Sequence, residues 1–270
     1  MAIPTPSPAR IHDFTIVENV RVAEGVMRLT IEAPRLAKAL KPGQFMSFAV
    51  PGDTTQLIRI PLSYASADAD AGTVTTFYAI VGDGTRRLAA MPAGSTSTVL
   101  GPGGHGWKLP EGPGRVLVVA GGIGITPVIA AAAIAAAAMA AGAGASVDAV
   151  VGALTANKLC GTDELEALGC GEVRVTTDDG TAGTKGFVTA EVGPMLGAGG
   201  YDVVLTCGPE PMMRAVAAQA QDAGVYCEVS LERMMTCGFG ACNTCNVQTT
   251  DGMVGACMHG PVFDSRKVVW

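Results

Sequence analysis

Charge is scarce in this chain: Asp, Glu, Lys and Arg make up only 16% of its 270 residues, with 24 acids against 18 bases. At a net charge of −6 and a pI near 5.1 it has no clustered Lys and Arg to neutralise phosphates, so neither nucleic acid nor a membrane surface is expected as a partner. The start MAIPTPSPARIHDF lacks the charged segment and following apolar run of a secretory signal, from which a cytoplasmic location is expected. The one membrane-like stretch, Pro127 to Ala145, is nearly all Ala, which contributes little transfer energy per residue; it reads as a tightly packed soluble helix. Internal repeats and low-complexity linkers are absent from the sequence. Histidine is down to three, and two of them, His105 in a Gly-rich turn and His259 near the end, have no evident partner and read as structural.

Against these absences, hydrophobic residues reach 49% and glycines number 36, the composition of a globular protein with many tight turns and close backbone approaches. The length suits two domains and an appendage. From Ile11 to about Leu109, short runs rich in Val, Thr, Phe and Leu alternate with Gly and Pro turns (VRVAEGVMRLTIEA, GQFMSFAV, GTVTTFYAIV, STSTVLG), which predicts an antiparallel barrel or sandwich over residues 1–110. At Gly112 the character changes: RVLVVA is a continuous apolar strand, followed by GGIGITP, an Ala-rich helical stretch and the strand VDAVVGAL. This βαβ start, continued by EVRVTT and DVVLTC, predicts a parallel-sheet α/β domain over 111–225. The third part, 226–270, is rich in Cys and Gly and short of regular pattern.

Eight cysteines in a chain expected in the cytoplasm argue against a disulfide framework, and four of them crowd near the end. The run Cys237-GFGA-Cys242-NT-Cys245, followed by Cys257, has the C-x4-C-x2-C…C spacing of plant-type [2Fe–2S] ferredoxins. Four thiolates hold two irons, and backbone N–H groups aimed at the sulfurs stabilise the anionic cluster; Gly238, Gly240 and Ala241 supply a loop able to fold that closely. A structural zinc site and plain buried thiols are the alternatives, although zinc sites usually pair C-x2-C knuckles and only Cys242 and Cys245 form one. Cys160, Cys170 and Cys227 read as core or surface thiols.

The strand VLVVA runs into Ala120-Gly121-Gly122-Ile123-Gly124-Ile125-Thr126-Pro127, a glycine turn opening a helix, where a diphosphate can sit on exposed N–H groups. Glycines in such a turn also serve packing alone, and that alternative stays open. Thr206-Cys207-Gly208-Pro209-Glu210-Pro211-Met212-Met213 likewise ends a strand and opens a helix, at the carboxyl edge of the sheet where open α/β folds bind ligands. There Cys207 could lie beside a nicotinamide ring or be a buried strand-end thiol.

These motifs, with TDDGTAGTKGFVT from Thr177, SLERMMTCGFGACNTC and CMHGPVF, resemble the iron–sulfur electron-transfer subunits of dihydroorotate dehydrogenase B, within the ferredoxin–NADP reductase superfamily. The resemblance spans nearly the whole chain and extends to small subunits of sulfide dehydrogenase and of NADH-dependent reduced ferredoxin:NADP oxidoreductase. It implies a multidomain β-barrel plus α/β protein: an antiparallel FAD-binding barrel (1–110), a parallel-sheet NAD-binding domain (111–225) and a small C-terminal [2Fe–2S] domain (226–270). Arg59-Ile60-Pro61-Leu62-Ser63-Tyr64 resembles the family's Arg-x-Pro-hydrophobic-Ser segment, which would set Arg59 on the flavin diphosphate and Pro61, Leu62, Ser63 and Tyr64 about the flavin, with Ser63 toward its N5 edge. Gly82-Asp83-Gly84-Thr85 resembles the second flavin segment, where Gly82 and Gly84 let N–H groups approach phosphate and Thr85 adds a hydroxyl. Read by themselves, Arg59 is a surface charge and GDGT a hairpin turn.

For the nicotinamide nucleotide the resemblance implies Gly121, Gly122, Gly124, Thr126, Gly208 and Pro209, with Cys207 as the catalytic-site residue. Asp178 and Asp179 could accept from ribose hydroxyls, and Gly152-Ala153-Leu154-Thr155 offers no Arg for a 2′-phosphate, so NADH is expected over NADPH, with Lys158 the opposing sign. Two departures stand out. Ile60 occupies a position where close relatives often carry a second Arg, and eleven residues between Cys245 and Cys257 imply an abbreviated hairpin and a more exposed cluster.

Nicotinamides move two electrons and a [2Fe–2S] centre one, so a flavin that tolerates both is the necessary go-between. The expected activity is electron transfer between NAD(H) and a partner through FAD and the cluster. The expected partner is an FMN-containing dihydroorotate dehydrogenase catalytic subunit, or a related redox enzyme, in a hetero-oligomer that oxidises dihydroorotate to orotate for pyrimidine biosynthesis. No residue here resembles an acid or base for dihydroorotate itself. The alternatives are the small subunit of a sulfide dehydrogenase or ferredoxin:NADP oxidoreductase complex, and a non-redox module holding nucleotide and zinc.

Overall fold

The computed structural model describes residues 9–51, 58–109, 114–142 and 144–270, and the boundary expected at 110/111 lies outside them. The N-terminal part is a seven-stranded antiparallel sheet of β1 (Arg10–Ala23), β2 (Val26–Glu32), β3 (Phe45–Phe48), β4 (Ile60–Ser63), β5 (Ser66–Asp68), β6 (Thr73–Ala79) and β7 (Thr96–Gly103), in the order β4-β3-β7-β1-β2-β6-β5. Alternation decides which face is buried: Phe14 and Ile16 on β1, with Leu29 and Ile31 on β2, point inward and are almost wholly buried. The run VRVAEGVMRLTIEA is broken into two strands by Gly25 at φ 73, a conformation that suits glycine. The sheet's edge strands are consecutive in the chain, β4 pairing with β3 and β5 with β6, so Tyr64 and Ala65 carry the chain from one edge to the other. The Thr76 hydroxyl fastens this closure by donating to the Ser63 carbonyl at 2.6 Å. Helices α1 (Pro34–Ala39) and α2 (Asp83–Ala89) fill the connections.

The second part is a sheet in the order β11-β10-β9-β8-β12-β13-β16. Its strands are β8 (Arg115–Gly121), β9 (Ser146–Ala153), β10 (Val173–Thr177), β11 (Thr184–Lys185), β12 (Val203–Cys207) and β13 (Tyr226–Ser230), all parallel, with a C-terminal antiparallel strand β16 (Val262–Asp264). Between them run α3 (Ile125–Ala140), α4 (Thr162–Ala167), α5 (Thr189–Gly197) and α6 (Glu210–Asp222). The continuous apolar strands follow from being covered on both faces. Val116, Val118 and Ala120 join the core containing α3, while Leu117 and Val119 join the core containing α5 and α6. The Ala-rich stretch is α3, packed against β8, β9 and β12. Strands are added on one side of β8 through β9 and on the other through β12, which puts a topological switch point between β8 and β12.

The third part departs from its expected boundary. Residues 226–230 are β13, a regular strand paired with β12, and β16 pairs with β13 in turn. The cysteine-rich stretch is thus an excursion between two strands of the α/β sheet, containing the hairpin β14 (Asn246–Thr249) and β15 (Gly252–Gly255) and the short helix α7 (Ala256–His259). Strand β13 escapes a pattern reading because YCEVS carries a Glu, yet Glu228 is 2% exposed and accepts from the Lys108 backbone N–H (2.8 Å) and the Tyr226 hydroxyl (3.0 Å). Barrel and α/β domain meet through buried bonds: the Thr126 hydroxyl donates to the Phe77 carbonyl at 3.0 Å, and Trp107 Nε1 donates to the Pro127 carbonyl at 3.0 Å.

Candidate functional site

A cavity of about 480 Å³ opens where all three parts meet. Its walls are β4 and β6 of the barrel, the turn after β8, and the stretch from Ser230 to Met235 that leads into the first clustered cysteine. Of the expected flavin residues, Pro61, Leu62, Ser63 and Thr85 line it, and Thr126 lines it from the α/β side. Tyr64 is turned into the barrel core, 3% exposed, and burial pushes its hydroxyl pKa well up. Arg59 stands outside the lining: its guanidinium donates to the Thr98 carbonyl at 2.9 Å and the Thr98 hydroxyl at 3.0 Å. The GDGT segment opens α2 rather than a hairpin, and the Thr85 hydroxyl closes the turn by accepting from the Val81 and Gly82 N–H groups. The Gly82 N–H is therefore already paired, while Gly84 lies inside the first turn of the helix. Sequence reasoning missed Glu232 and Arg233, which also line the cavity; their adjacency to the cysteine run in SLERMMTC was the available signal. The surrounding protein raises the pKa of the Glu232 carboxyl.

At the switch point the glycines are needed for close packing. A Cβ at Gly124 would fall 2.3 Å from the Cys207 carbonyl oxygen, and one at Gly121 would fall 2.4 Å from Met212 Sδ and 3.0 Å from Pro209. The glycine turn after β8 thus nests directly against Cys207-Gly208-Pro209, whereas Gly122, at φ +54, faces open space. Cys207 is 1% exposed; burial, and then the charge of Glu232, drives its thiol pKa far up. Beside this nest lies a second cavity of about 530 Å³ at the carboxyl ends of β8, β9 and β10, lined by Gly121, Gly122, Pro209 and Met212 among others. Asp178 is the charged side chain among the described residues that line it, and the Thr176 hydroxyl there is buried without a hydrogen-bond partner. The cavity's place at the carboxyl ends of the strands, beside the switch point, is where open α/β folds bind nucleotides. Asp179 instead turns to Thr181, accepting from its N–H (3.0 Å) and hydroxyl (2.7 Å), which hold its pKa below the usual carboxylate range.

The four clustered cysteines fall into two pairs. Cys242 neighbours Cys237, and Cys257 neighbours Cys245, whose Sγ accepts from the Cys257 N–H at 3.4 Å. Cys237 Sγ accepts from the Ala241 N–H at 3.3 Å, and Cys242 Sγ from the Thr244 hydroxyl at 3.2 Å. Thr244's bonds bring the exposed Cys242 down to about 6, while burial pushes Cys257 up to about 12. Gly238 and Gly240 both have positive φ (76° and 88°) in the loop between them. Among the described residues, no group of three or more His, Cys, Asp or Glu converges on a single metal position. Two thiol pairs with N–H groups aimed at sulfur suit two irons, each held by one pair, better than one tetrahedral zinc. The expected short hairpin before the last ligand is β14–β15.

Comparison with known proteins bears on this arrangement. Residues 232–269 match the iron–sulfur cluster binding domain of dihydroorotate dehydrogenase B, and residues 118–218 match the oxidoreductase NAD-binding domain. The electron transfer subunit of dihydroorotate dehydrogenase B (NAD(+)) from Clostridium acetobutylicum is 33% identical over 254 residues, covering 94% of this chain and 95% of that one. The chain belongs to that family. Its Geobacillus kaustophilus member is 35% identical over 261 residues, covering 95% of this chain and 97% of its own. Among solved structures, that of NADH-dependent reduced ferredoxin-NADP oxidoreductase aligns with a TM-score of 0.83 at 31% identity, over 95% of this chain and 89% of that one. A ferredoxin reductase of carbazole 1,9a-dioxygenase (TM-score 0.65, 20% identity, 82% of this chain and 68% of that one) shares the fold. As a family member the chain is an electron-transferring oxidoreductase subunit whose cofactors are FAD, a [2Fe–2S] cluster and NAD(H).

Proposed function

We propose that this subunit passes electrons between NAD(H) and an FMN-containing dihydroorotate dehydrogenase catalytic subunit, in a cytoplasmic hetero-oligomer that oxidises dihydroorotate to orotate. The observation that carries the reading is the junction of three walls in one cavity: flavin segment, glycine turn and the stretch entering Cys237. When bound, the flavin exchanges electrons in pairs with the nicotinamide and singly with the cluster. The chain's residues supply the positions. Pro61, Leu62 and Ser63 form the barrel wall against the flavin ring, with Tyr64 locking their strand from the core side. Arg59 braces that strand against β7 through Thr98, and the first turn of α2, with Gly82, Gly84 and Thr85, faces the flavin's phosphate end.

On the α/β side, Gly121, Gly122, Gly124, Gly208 and Pro209 shape the nucleotide's approach, and Thr126 holds the barrel to it. Asp178 closes its ribose end, with Asp179 holding the adjoining turn through Thr181, and the buried Cys207 backs the nicotinamide position with an apolar thiol. Cys237, Cys242, Cys245 and Cys257 hold the cluster, with Cys242 on the side open to a partner. By function the chain divides in this reading into 1–110, 111–225 and 226–270, the last anchored in the α/β sheet by β13 and β16.

Purification of the native complex tests the partner: an FMN protein accompanying the chain supports the proposal. A larger iron–sulfur flavoprotein in its place would favour the ferredoxin-linked alternative, to which the 31% identical structure gives weight. A colourless preparation would refute both.

A further inference from the structure

The cavity and the cysteine loop share a wall, and one barrel side chain builds it. Cys245 and Cys257 sit in a hydrophobic core whose other members come from the α/β sheet, its helices and the cysteine-rich stretch, with one exception, Phe45 of β3. The neighbouring inward residues of the same strand, Met46 and Phe48, belong instead to the barrel's own core with Phe14 and Leu29. Phe45 is 4% exposed and also lines the 480 Å³ cavity.

Its ring is held by a glycine on β7 and lies against the cysteine loop on the other side. On β7 it lies opposite Gly103, where a Cβ would fall 2.5 Å from Phe45 Cζ, so only glycine leaves room for the ring. Toward the cysteines, a Cβ at Gly238 would fall 3.8 Å from Phe45 Cε2 and 3.1 Å from Ser47 Oγ. Gly238 follows Cys237 directly, so the loop carrying the first ligand rests on the barrel at this ring. Met235 completes the wall from the other side: it too lines the cavity and belongs to the core of Cys245 and Cys257.

We propose that Phe45 is a positioning residue for electron exchange, setting the separation between the flavin cavity and the cluster and keeping water out of the gap. This rests on the assignment of that cavity to the flavin. Phe45 itself is neither oxidised nor reduced; the electron leaves the flavin and arrives at the cluster, one at a time. Electron transfer across such a gap weakens steeply with distance and with water in the path, so a ring that fixes the gap and keeps it dry controls the step.

The test uses the full-length holoprotein and the variants Phe45→Leu, Phe45→Ala and Gly103→Ala, the last displacing the ring without altering it. Phe14→Leu, a truncation in the barrel's own core, is the control. After anaerobic mixing with NADH, flavin bleaching is followed optically and cluster reduction by freeze-quench paramagnetic resonance. With each rate taken per bound flavin, the expected result is a ratio of cluster reduction to bleaching that falls several-fold below wild type in all three variants, and no such fall in Phe14→Leu, which only lowers stability. Cluster reduction that keeps pace with bleaching in every Phe45 variant overturns the proposal. Hydrogen exchange at Thr236–Ala241 decides the matter for any variant that loads no cluster: faster exchange than in Phe14→Leu supports it, and unchanged protection overturns it. Wild-type protein whose bound flavin NADH does not bleach would instead overturn the reading of the cavity, a separate outcome.

Discussion

Replacing Gly124 by alanine tests the nest at the switch point. The added Cβ would lie 2.3 Å from the Cys207 carbonyl oxygen, 2.5 Å from its carbon and 2.7 Å from the Gly208 nitrogen, backbone atoms at the end of the β8–β12 ladder. Ordinary contacts begin near 3 Å or beyond, so one turn must back away from the other by a sizeable fraction of about 1 Å, at roughly 1–3 kcal/mol for overpacking. The same displacement separates the two turns that shape the nucleotide site, which corresponds to as much as roughly 10²-fold in the productive use of NADH. Gly25→Ala, in the β1–β2 turn, is the matched control. It meets nothing within 4 Å and bears only the left-handed backbone penalty of about 1–2 kcal/mol. Urea unfolding and the NADH concentration dependence of flavin bleaching measure both effects. The reasoning is refuted if Gly124→Ala keeps wild-type stability and NADH affinity, or if Gly25→Ala impairs NADH use more than Gly124→Ala does.

Other substitutions probe separate parts. Thr126→Val removes one of the two hydroxyl bonds to the Phe77 carbonyl and should cost about 0.5–1.5 kcal/mol in urea unfolding, with looser docking of the barrel seen as faster proteolysis. Burial raises the pKa of Glu228 above its ordinary 4.5, so folding favours its protonated form. That contribution is complete below 4.5 and is lost as pH rises through the folded value; wild-type urea midpoints should fall across this window relative to those of Glu228→Gln. Asp178→Ala should narrow the preference for NADH over NADPH, measured as the ratio of their KM values, by roughly tenfold, since it removes the acid facing the second cavity. Cys242→Ala should abolish cluster absorption while NADH still bleaches the flavin.

Much of this was legible because it rests on periodicity and spacing. Alternation in VMRLTIE and the unbroken VLVVA distinguish a one-sided from a two-sided strand, and C-x4-C-x2-C encodes a loop that must fold on itself. What sequence left open is long-range. Whether Gly124 serves a ligand or the Cys207 carbonyl depends on an element some eighty residues away, and Arg59's hold on Thr98 is a tertiary bond that no local pattern shows. Of the neighbours Asp178 and Asp179, the hydrogen bonds of Thr181 decide which one is free to face the cavity. Strand β13 escaped because its buried Glu228 breaks the apolar run, and its partners, Lys108 and Tyr226, are settled only in three dimensions.

The central claim is that paired irons on Cys237, Cys242, Cys245 and Cys257 exchange electrons with a flavin in the adjoining cavity. Iron, sulfide and flavin analysis of anaerobically purified protein, with paramagnetic resonance after NADH addition, tests it most directly. The expected outcome is a [2Fe–2S] complement with bound FAD and a reduced-cluster signal that appears on adding NADH alone. Zinc in place of iron, or a cluster that only a chemical reductant can reach, would contradict it.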